Sequence, residues 1–291
     1  MAKAKALDKR RKSIKNIRKI TRTMELVSTA QFRRAMERAI AAKSYSQRLV
    51  QLVGDLARSG HNTSHPLLSS RESRGRAALF ILTANRGMCG GYNAGILRAG
   101  LAQLEALRRE YDEVELYVSG KRGLSFLRYR KIEVARAFTE FDHKPTYEEV
   151  LAVATDVLTR YQIGELDRVD VAYSEFISLS KQQATTTTLL PLTSLAQVDQ
   201  DASRDEIEYE FLPSASSILE EVVPNAFKVQ LFKCFLDAAV SEQIARMMAM
   251  KAATDNADQM ISALTTTYNR ARQSQITNEI IEVISGASAL Q

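Results

Sequence analysis

The chain has 291 residues, 45% of them apolar and 25% charged, with a net charge of +6. That is enough chain for one or two domains with a buried core. No run approaches the roughly 20 apolar residues of a membrane span, and the N-terminus lacks the apolar block of a secretion signal, so synthesis in the cytosol is expected. Two cysteines, Cys89 and Cys234, fit neither a disulfide framework nor a metal-ligand spacing, and a reducing compartment follows.

The charge is unevenly placed. Residues 1–48 carry 15 Lys/Arg against Asp8, Glu25 and Glu37, a balance of +12; the remainder has 25 basic and 31 acidic residues, a balance of −6. A basic arm suits nucleic acid, an anionic membrane or an acidic protein. Only Phe32 and Tyr45 interleave it as aromatics, and no helix-turn-helix or zinc-finger signature is present, so stacking on bases has little support. Its charges read better as a solvated or protein-facing surface.

Glycine and proline divide the chain into three. Neither occurs before Gly54 nor between Pro224 and Gly286. Two uninterrupted terminal helices are predicted, of about 80 Å and about 90 Å if fully helical, too long for a compact domain. In the first, Ile14, Ile17, Ile20, Met24, Leu26 and Val27 form an apolar start. Thr21, Ser28, Ala35, Ala42, Leu49 and Leu56 then recur at seven-residue intervals. In the last, a 3.5-residue alternation through Ala238, Ser241, Ala245, Met248, Ala252, Asp255, Gln259, Ser262, Thr266, Asn269, Gln273, Ile276, Ile280, Val283, Ala287 and Leu290 predicts a seam that is small and polar in its middle. Asp255 on such a seam needs a partner, and Asp255 and Asp258 are candidates to meet the basic arm. The two helices form either a slim antiparallel pair or part of a bundle.

Between them, strands are predicted at Ala77–Thr83, Glu113–Ser119, Ile132–Ala137, Val169–Ser178 and Thr185–Leu192. Helices are predicted at Tyr92–Arg109, Lys121–Tyr129 and Tyr147–Ile163. The alternation argues a parallel or mostly parallel sheet. The fold class is thus α/β: a long antiparallel coiled coil of the terminal helices plus a central Rossmann-like domain. The boundaries are 1–57 for the first shaft helix, 58–76 for a connecting loop, 77–195 for the central domain, 196–212 for a linker or foot and 213–291 for the last shaft helix.

Chemistry-bearing motifs are few. TANRGMCGGYNAG (83–95) stands where a phosphate loop would, after a strand and before a helix. Its glycines 87, 90, 91 and 95 match neither G-x-G-x-x-G nor a Gly-Lys-Ser/Thr loop, so a structural turn is the better reading. VSGKRG (118–123) is a second such turn. His61 and His65, spaced i,i+4 in a predicted loop, have no carboxylate pair nearby, His143 has only its neighbour Asp142, and no nucleophile has a discernible base. The last helix is the longer, so Ile276, Ile280, Ile281, Val283, Ile284 and Leu290 should project beyond the first, an apolar tip needing a protein receptor.

IRKITRTMELVSTAQFRRA (17–35) resembles the N-terminal signature of the F-type ATP synthase gamma-subunit family. ARMMAMKAATDNADQMI (245–261) and YNRARQSQITNEIIEVISGASAL (268–290) resemble its C-terminal signature, and TANRGMCGGYN its central loop. The resemblance implies a non-catalytic rotor shaft, its helices inside a ring of three alpha and three beta subunits, its α/β domain holding the epsilon subunit and the membrane ring of c subunits. Proton or sodium flow would be coupled to ATP synthesis or hydrolysis on beta. By the same resemblance the chain binds no cofactor itself, ATP/ADP and Mg belonging to partner subunits, and has no nucleic-acid partner. Partner-binding roles carry over to Met24 and Arg246, facing catalytic subunits or the opposing helix. They carry over likewise to Arg272 and Gln273, engaging a beta-subunit loop, and to Arg86 and Cys89, near an acidic loop of beta. Ile276 and Ile280 fall in the tip, and Glu208, Tyr209 and Glu210 in the foot on the c ring. Without an Arg/Ser-rich presequence or an inserted cysteine pair, the resemblance is to the bacterial type, peripheral on the cytoplasmic face of the cell membrane. The rival readings are a nucleotide-binding α/β protein and a basic coiled-coil adaptor for nucleic acid or membrane.

Overall fold

A computed structural model describes residues 2–58, 66–69, 71, 74–141, 144–192 and 215–288. The chain forms two compact units, residues 30–245 and residues 1–29 with 246–291. Both divisions fall inside the long terminal helices, α1 (Ala2–Arg58) and α5 (Ala215–Ser288).

In the unit of residues 30–245 the chain runs β1 (Arg76–Leu82), α2 (Tyr92–Glu110), β2 (Glu113–Ser119), α3 (Lys121–Tyr129), β3 (Arg136–Phe138), α4 (Tyr147–Gln162), β4 (Arg168–Ser178) and β5 (Lys181–Leu190). The strands lie in the order β3-β2-β1-β4-β5, the first four parallel and β5 antiparallel to β4. A parallel sheet needs both faces covered, and β1 is apolar and buried from Ala77 to Leu82 for that reason. Its odd residues Ala77, Leu79 and Ile81 pack with α2 and α3. Its even residues Ala78, Phe80 and Leu82 pack with α4 and with Leu219, Val223, Phe227, Leu231 and Phe235 of α5.

That second face corrects the expectation that helices so long stand outside any compact domain. Residues 215–245 of α5 are core of the sheet unit, and Ala35 and Ala39 of α1 pack on Leu236, Val240 and Ile244 in the same unit. Burial also carries α5 through Pro224, which forfeits one helical hydrogen bond but is flanked by the fully buried Val223 and by Ala226 and Phe227. The third strand is shorter than predicted. After α3, Lys131 turns to φ +56° and a Schellman cap forms, with Lys131 N–H donating to Arg128 C=O (3.0 Å) and Ile132 N–H to Leu127 C=O (3.0 Å). The chain therefore reaches the sheet only at Arg136.

In the helical unit α1 and α5 pair antiparallel. Thr254 Oγ1 donates to Thr21 Oγ1 at 2.8 Å, Arg18 pairs with Asp258, and the Arg11 guanidinium lies 4.8 Å from the Tyr268 ring centroid. The α1 side of the seam follows the predicted heptad, with Thr21 and Ser28 buried and Leu7 and Ile14 half-buried on the same repeat. The α5 side does not. Met250, Thr254 and Ala257 are buried and Ile261, Leu264, Tyr268, Ala271 and Gln275 half-buried, whereas Asp255, Gln259, Ser262, Thr266, Asn269 and Gln273 are exposed. The period was read correctly and the phase was not. It was set from Ala238 and Ser241, where α5 is buried on every side and no single face is marked. Asp255 faces water; Asp258 meets the basic arm.

Candidate protein-docking site

The helical unit offers the clearest exposed apolar surface. Facing partners across the seam have residue numbers adding to between 275 and 279, so Ala2 falls opposite about residue 275. Beyond that level α5 continues to Ser288. Ile276, Ile280, Ile281, Val283 and Ile284 are all exposed there, Val283 most of all at 72%. Ile276, Ile280, Val283 and Ile284 follow helical spacing and, with Glu279, line one open apolar face. Arg272 and Gln273 are exposed just before it, Arg272 one turn beyond Tyr268 at the flank of the seam and Gln273 on the side of α5 turned away from it. Side chains from 286 onward, Leu290 among them, lie outside the described residues.

A second apolar surface runs along α1. Of the apolar start of this helix, Ile17, Ile20, Leu26 and Val27 lie outside the seam, with Ile20 59% exposed. A helix one neighbour wide can bury only one stripe, and Thr21, Ser28 and Ile14 occupy it. These four residues add to the surface read from the sequence. Met24 is half-buried beside the seam. Arg246, 4% exposed, is turned inward and is not itself presented to solvent.

In the sheet unit the glycine turn between β1 and α2 is built on its own side chains. Thr83 Oγ1 donates to Ser119 C=O (2.7 Å) and receives Gly123 N–H (3.0 Å). Asn93 Oδ1 accepts from Ala84 N–H (2.9 Å), and Asn85 Oδ1 accepts from Lys121 N–H (3.0 Å). Gly120 is required: its φ is +96°, and a Cβ there would lie 2.1 Å from the Thr83 carbonyl oxygen. The amides that open α3 are thus engaged by Asn85, Ala84 and Thr83 rather than turned toward a phosphate. At the carboxyl ends of β1 and β4, where open α/β sheets place ligands, α5 intrudes. Tyr92 Oη donates to Ala238 C=O (3.0 Å) and Ser241 Oγ to Ser174 C=O (3.1 Å).

Of the two residues singled out in this turn, Arg86 is exposed and Cys89 is 1% exposed, its sulfur receiving Asn93 Nδ2–H at 3.1 Å. The residue presented in its place is Met88, 57% exposed and held at φ +62°. Nothing in its type signalled this. Glu208, Tyr209 and Glu210, like His61, His65 and His143, lie outside the described residues. Among the described residues no group of three His, Cys, Asp or Glu is placed to hold a metal, and no helix is long and apolar enough to cross a membrane.

Known proteins match this architecture along its length. The family model for ATP synthase covers residues 3–290. The ATP synthase gamma chain of Rhodopirellula baltica is 54% identical over 295 residues, covering all of both chains. That of Leptospira biflexa is 38% identical over 290 residues and that of Trichlorobacter lovleyi 36% over 291, again covering both chains fully. Among solved structures, a chain of the Euglena gracilis mitochondrial ATP synthase rotor has a TM-score of 0.64 at 17% identity, covering 94% of this chain and 99% of that one. A chain of the OSCP/F1/c-ring structure of the same enzyme has a TM-score of 0.67 at 16% identity, covering 99% and 95%. These two share the fold; the bacterial relatives, at full length and up to 54% identity, show that the chain belongs to the ATP synthase gamma-chain family.

Proposed function

We propose that the chain is the central rotor shaft of a bacterial ATP synthase, turning within a ring of three alpha and three beta subunits. Its sheet unit carries the epsilon subunit and rests on the c ring at the cytoplasmic face of the membrane. The observation that carries this reading is the apolar face of α5 from Ile276 to Ile284, beyond the level at which α1 begins. An isolated protein gains nothing from a row of isoleucines in water, whereas a ring of apolar side chains around the tip would hold it as a bearing. The shaft makes and breaks no covalent bond. A single asymmetric pin touches three chemically identical subunits differently at each angle, and that difference in contact energy shifts their nucleotide sites between open and closed states. ATP, ADP and Mg remain with the partner subunits, in keeping with the engaged amides of the sheet's turns. The coupling ion, proton or sodium, is chosen in the membrane ring.

Along α5 the reading assigns seating to the tip and torque to Arg272 and Gln273. Burial of each tip side chain contributes at most about 1.5–3 kcal/mol, less the entropy of ordering it. The test is co-expression with alpha and beta subunits, comparing chains ending at Gln275 with the double substitution Arg272→Ala, Gln273→Ala. Truncation is expected to lower the yield of the assembled complex. The double substitution is expected to leave yield intact and reduce ATPase per complex. Recovery of the wild-type chain only as a closed homodimer, with no alpha or beta bound, would sink the assignment.

A further inference from the structure

In the sheet unit, α2 and α3 lie side by side on one face and both run back against the parallel strands, so their C-terminal ends reach the same edge of the sheet. There they set out five cations, Arg108 and Arg109 in the last turn of α2 and Arg128, Arg130 and Lys131 at and just past the end of α3. All five are exposed, and none forms an ion pair among the described residues. Neighbouring carboxylates at this edge are engaged by other arginines, Glu113 by Arg76 at 2.7 Å and Glu110 by Arg168 at 3.6 Å. Exposed Glu105, Asp112 and Glu133 offset part of the charge without pairing with the five. In the midst of these cations stands Tyr129, 85% exposed.

Cations at helix C-termini complement the helix dipole, and that accounts for Arg108, Arg109 and Arg128 by themselves. It does not account for Tyr129 or Lys131. Lys131 is the left-handed residue of the Schellman cap, φ +56°, a position that glycine fills without strain. A lysine held there keeps a cation beside Tyr129 at a cost to the fold. Four arginines, one lysine and a bare tyrosine also have the composition of a protein-binding hot spot. Tyr and Arg are enriched in protein interfaces, and the planar guanidinium matches a carboxylate in bidentate fashion.

We propose that the ends of α2 and α3 form a docking surface for a carboxylate-rich protein segment of a subunit that turns with this chain, centred on Tyr129. The proposal rests on the central-shaft reading, because only a co-rotating partner can hold a fixed place on a turning sheet unit. The guanidinium of Arg130, 5.5 Å from the Phe126 ring centroid, is steadied on its own helix before any partner arrives.

The experiment uses the assembled complex, with Tyr129→p-benzoylphenylalanine introduced into the full chain and photolysed, and the cross-linked peptides sequenced by mass spectrometry. Cross-links to an Asp/Glu-rich segment of one subunit are expected. Their yield should fall at least about fivefold in the Arg128→Glu, Arg130→Glu, Lys131→Glu background, and should fall as salt rises. A second variant, Lys131→Gly, separates structure from recognition: it should raise the melting temperature of the chain and lower the cross-link yield. No cross-link, adducts only to lipid, or adducts to a segment without carboxylates, in a complex that assembles normally, would overturn the docking proposal alone. So would Lys131→Gly raising stability with the cross-link undiminished. Failure of the unmodified chain to assemble with alpha and beta would instead remove the reading on which the proposal rests.

Discussion

The two units are held together by different means. In the sheet unit, Phe80, Tyr117, Tyr161 and Phe227 are completely buried, and aromatic edges meet in sequence from Phe80 to Tyr117 (5.0 Å between centroids) and Tyr117 to Phe138 (6.4 Å). In the helical unit the buried part of the seam is Thr21, Ser28, Met250, Thr254 and Ala257, with Ile14, Ile261, Leu264 and Tyr268 only half-buried, and a hydroxyl pair joins Thr21 to Thr254. Small residues bring two helices close but remove little apolar area from water. One unit is therefore stabilised by its own core, and the other is a slender pair whose remaining apolar surface faces outward.

The comparison is broken most forcefully in the sheet unit. Phe227→Ala removes a side chain at the junction of α5 and the sheet and should cost about 3–5 kcal/mol in chemical denaturation. An equivalent loss from the helical seam does not exist, because no aromatic ring is fully buried there. A cost near 1 kcal/mol would mean that α5 is not core of the sheet unit.

Next in size is Asp237, buried on α5 of the same unit. Desolvation pushes its carboxyl up to about 6, against the pull of the Lys233 ammonium at 3.5 Å and with the push of Glu175. A folded-state pKa above the unfolded value means that the neutral acid is favoured by the fold. The associated stability is fully present below about pH 4 and is lost as pH rises through about 6. Asp237→Asn should therefore match the wild type near pH 4 and exceed it by about 1–3 kcal/mol at pH 8, measured as denaturation midpoint against pH. A difference independent of pH would contradict the burial argument. The smallest effect belongs to the pin: Arg18 and Asp258 pair across the seam at about half exposure, and Arg18→Ala should cost at most about 0.5 kcal/mol, vanishing in high salt.

Much of this molecule follows from local chemistry. The absence of Gly and Pro at both ends yields the long helices, and the apolar runs around Leu79, Leu116 and Val171 give the strands within a residue or two. The heptad through Thr21 and Ser28 set one side of the seam, and the excess length of α5 foretold the exposed tip at Ile276 and Ile280. Helix and strand periods are properties of consecutive residues, so they are legible in one dimension.

Phase and sidedness were not legible, because they depend on what lies across the gap. On α5 the more apolar repeat through Met250, Ala257, Ile261 and Leu264 stands in the sequence, but the stretch from Ala238 to Ile244, buried on every side, marks no single phase to extend into it; contact with α1 through Thr21 and Thr254 selects it. Nothing near Ile20 says that it faces outward, since an isoleucine is equally at home in a seam or in another subunit's grasp. Likewise the sharing of residues 215–245 with the sheet core arises from packing between distant stretches. The sequence by itself determined the elements and their order; tertiary structure decided which face of each element is inside, because burial is a property of neighbours and not of residues.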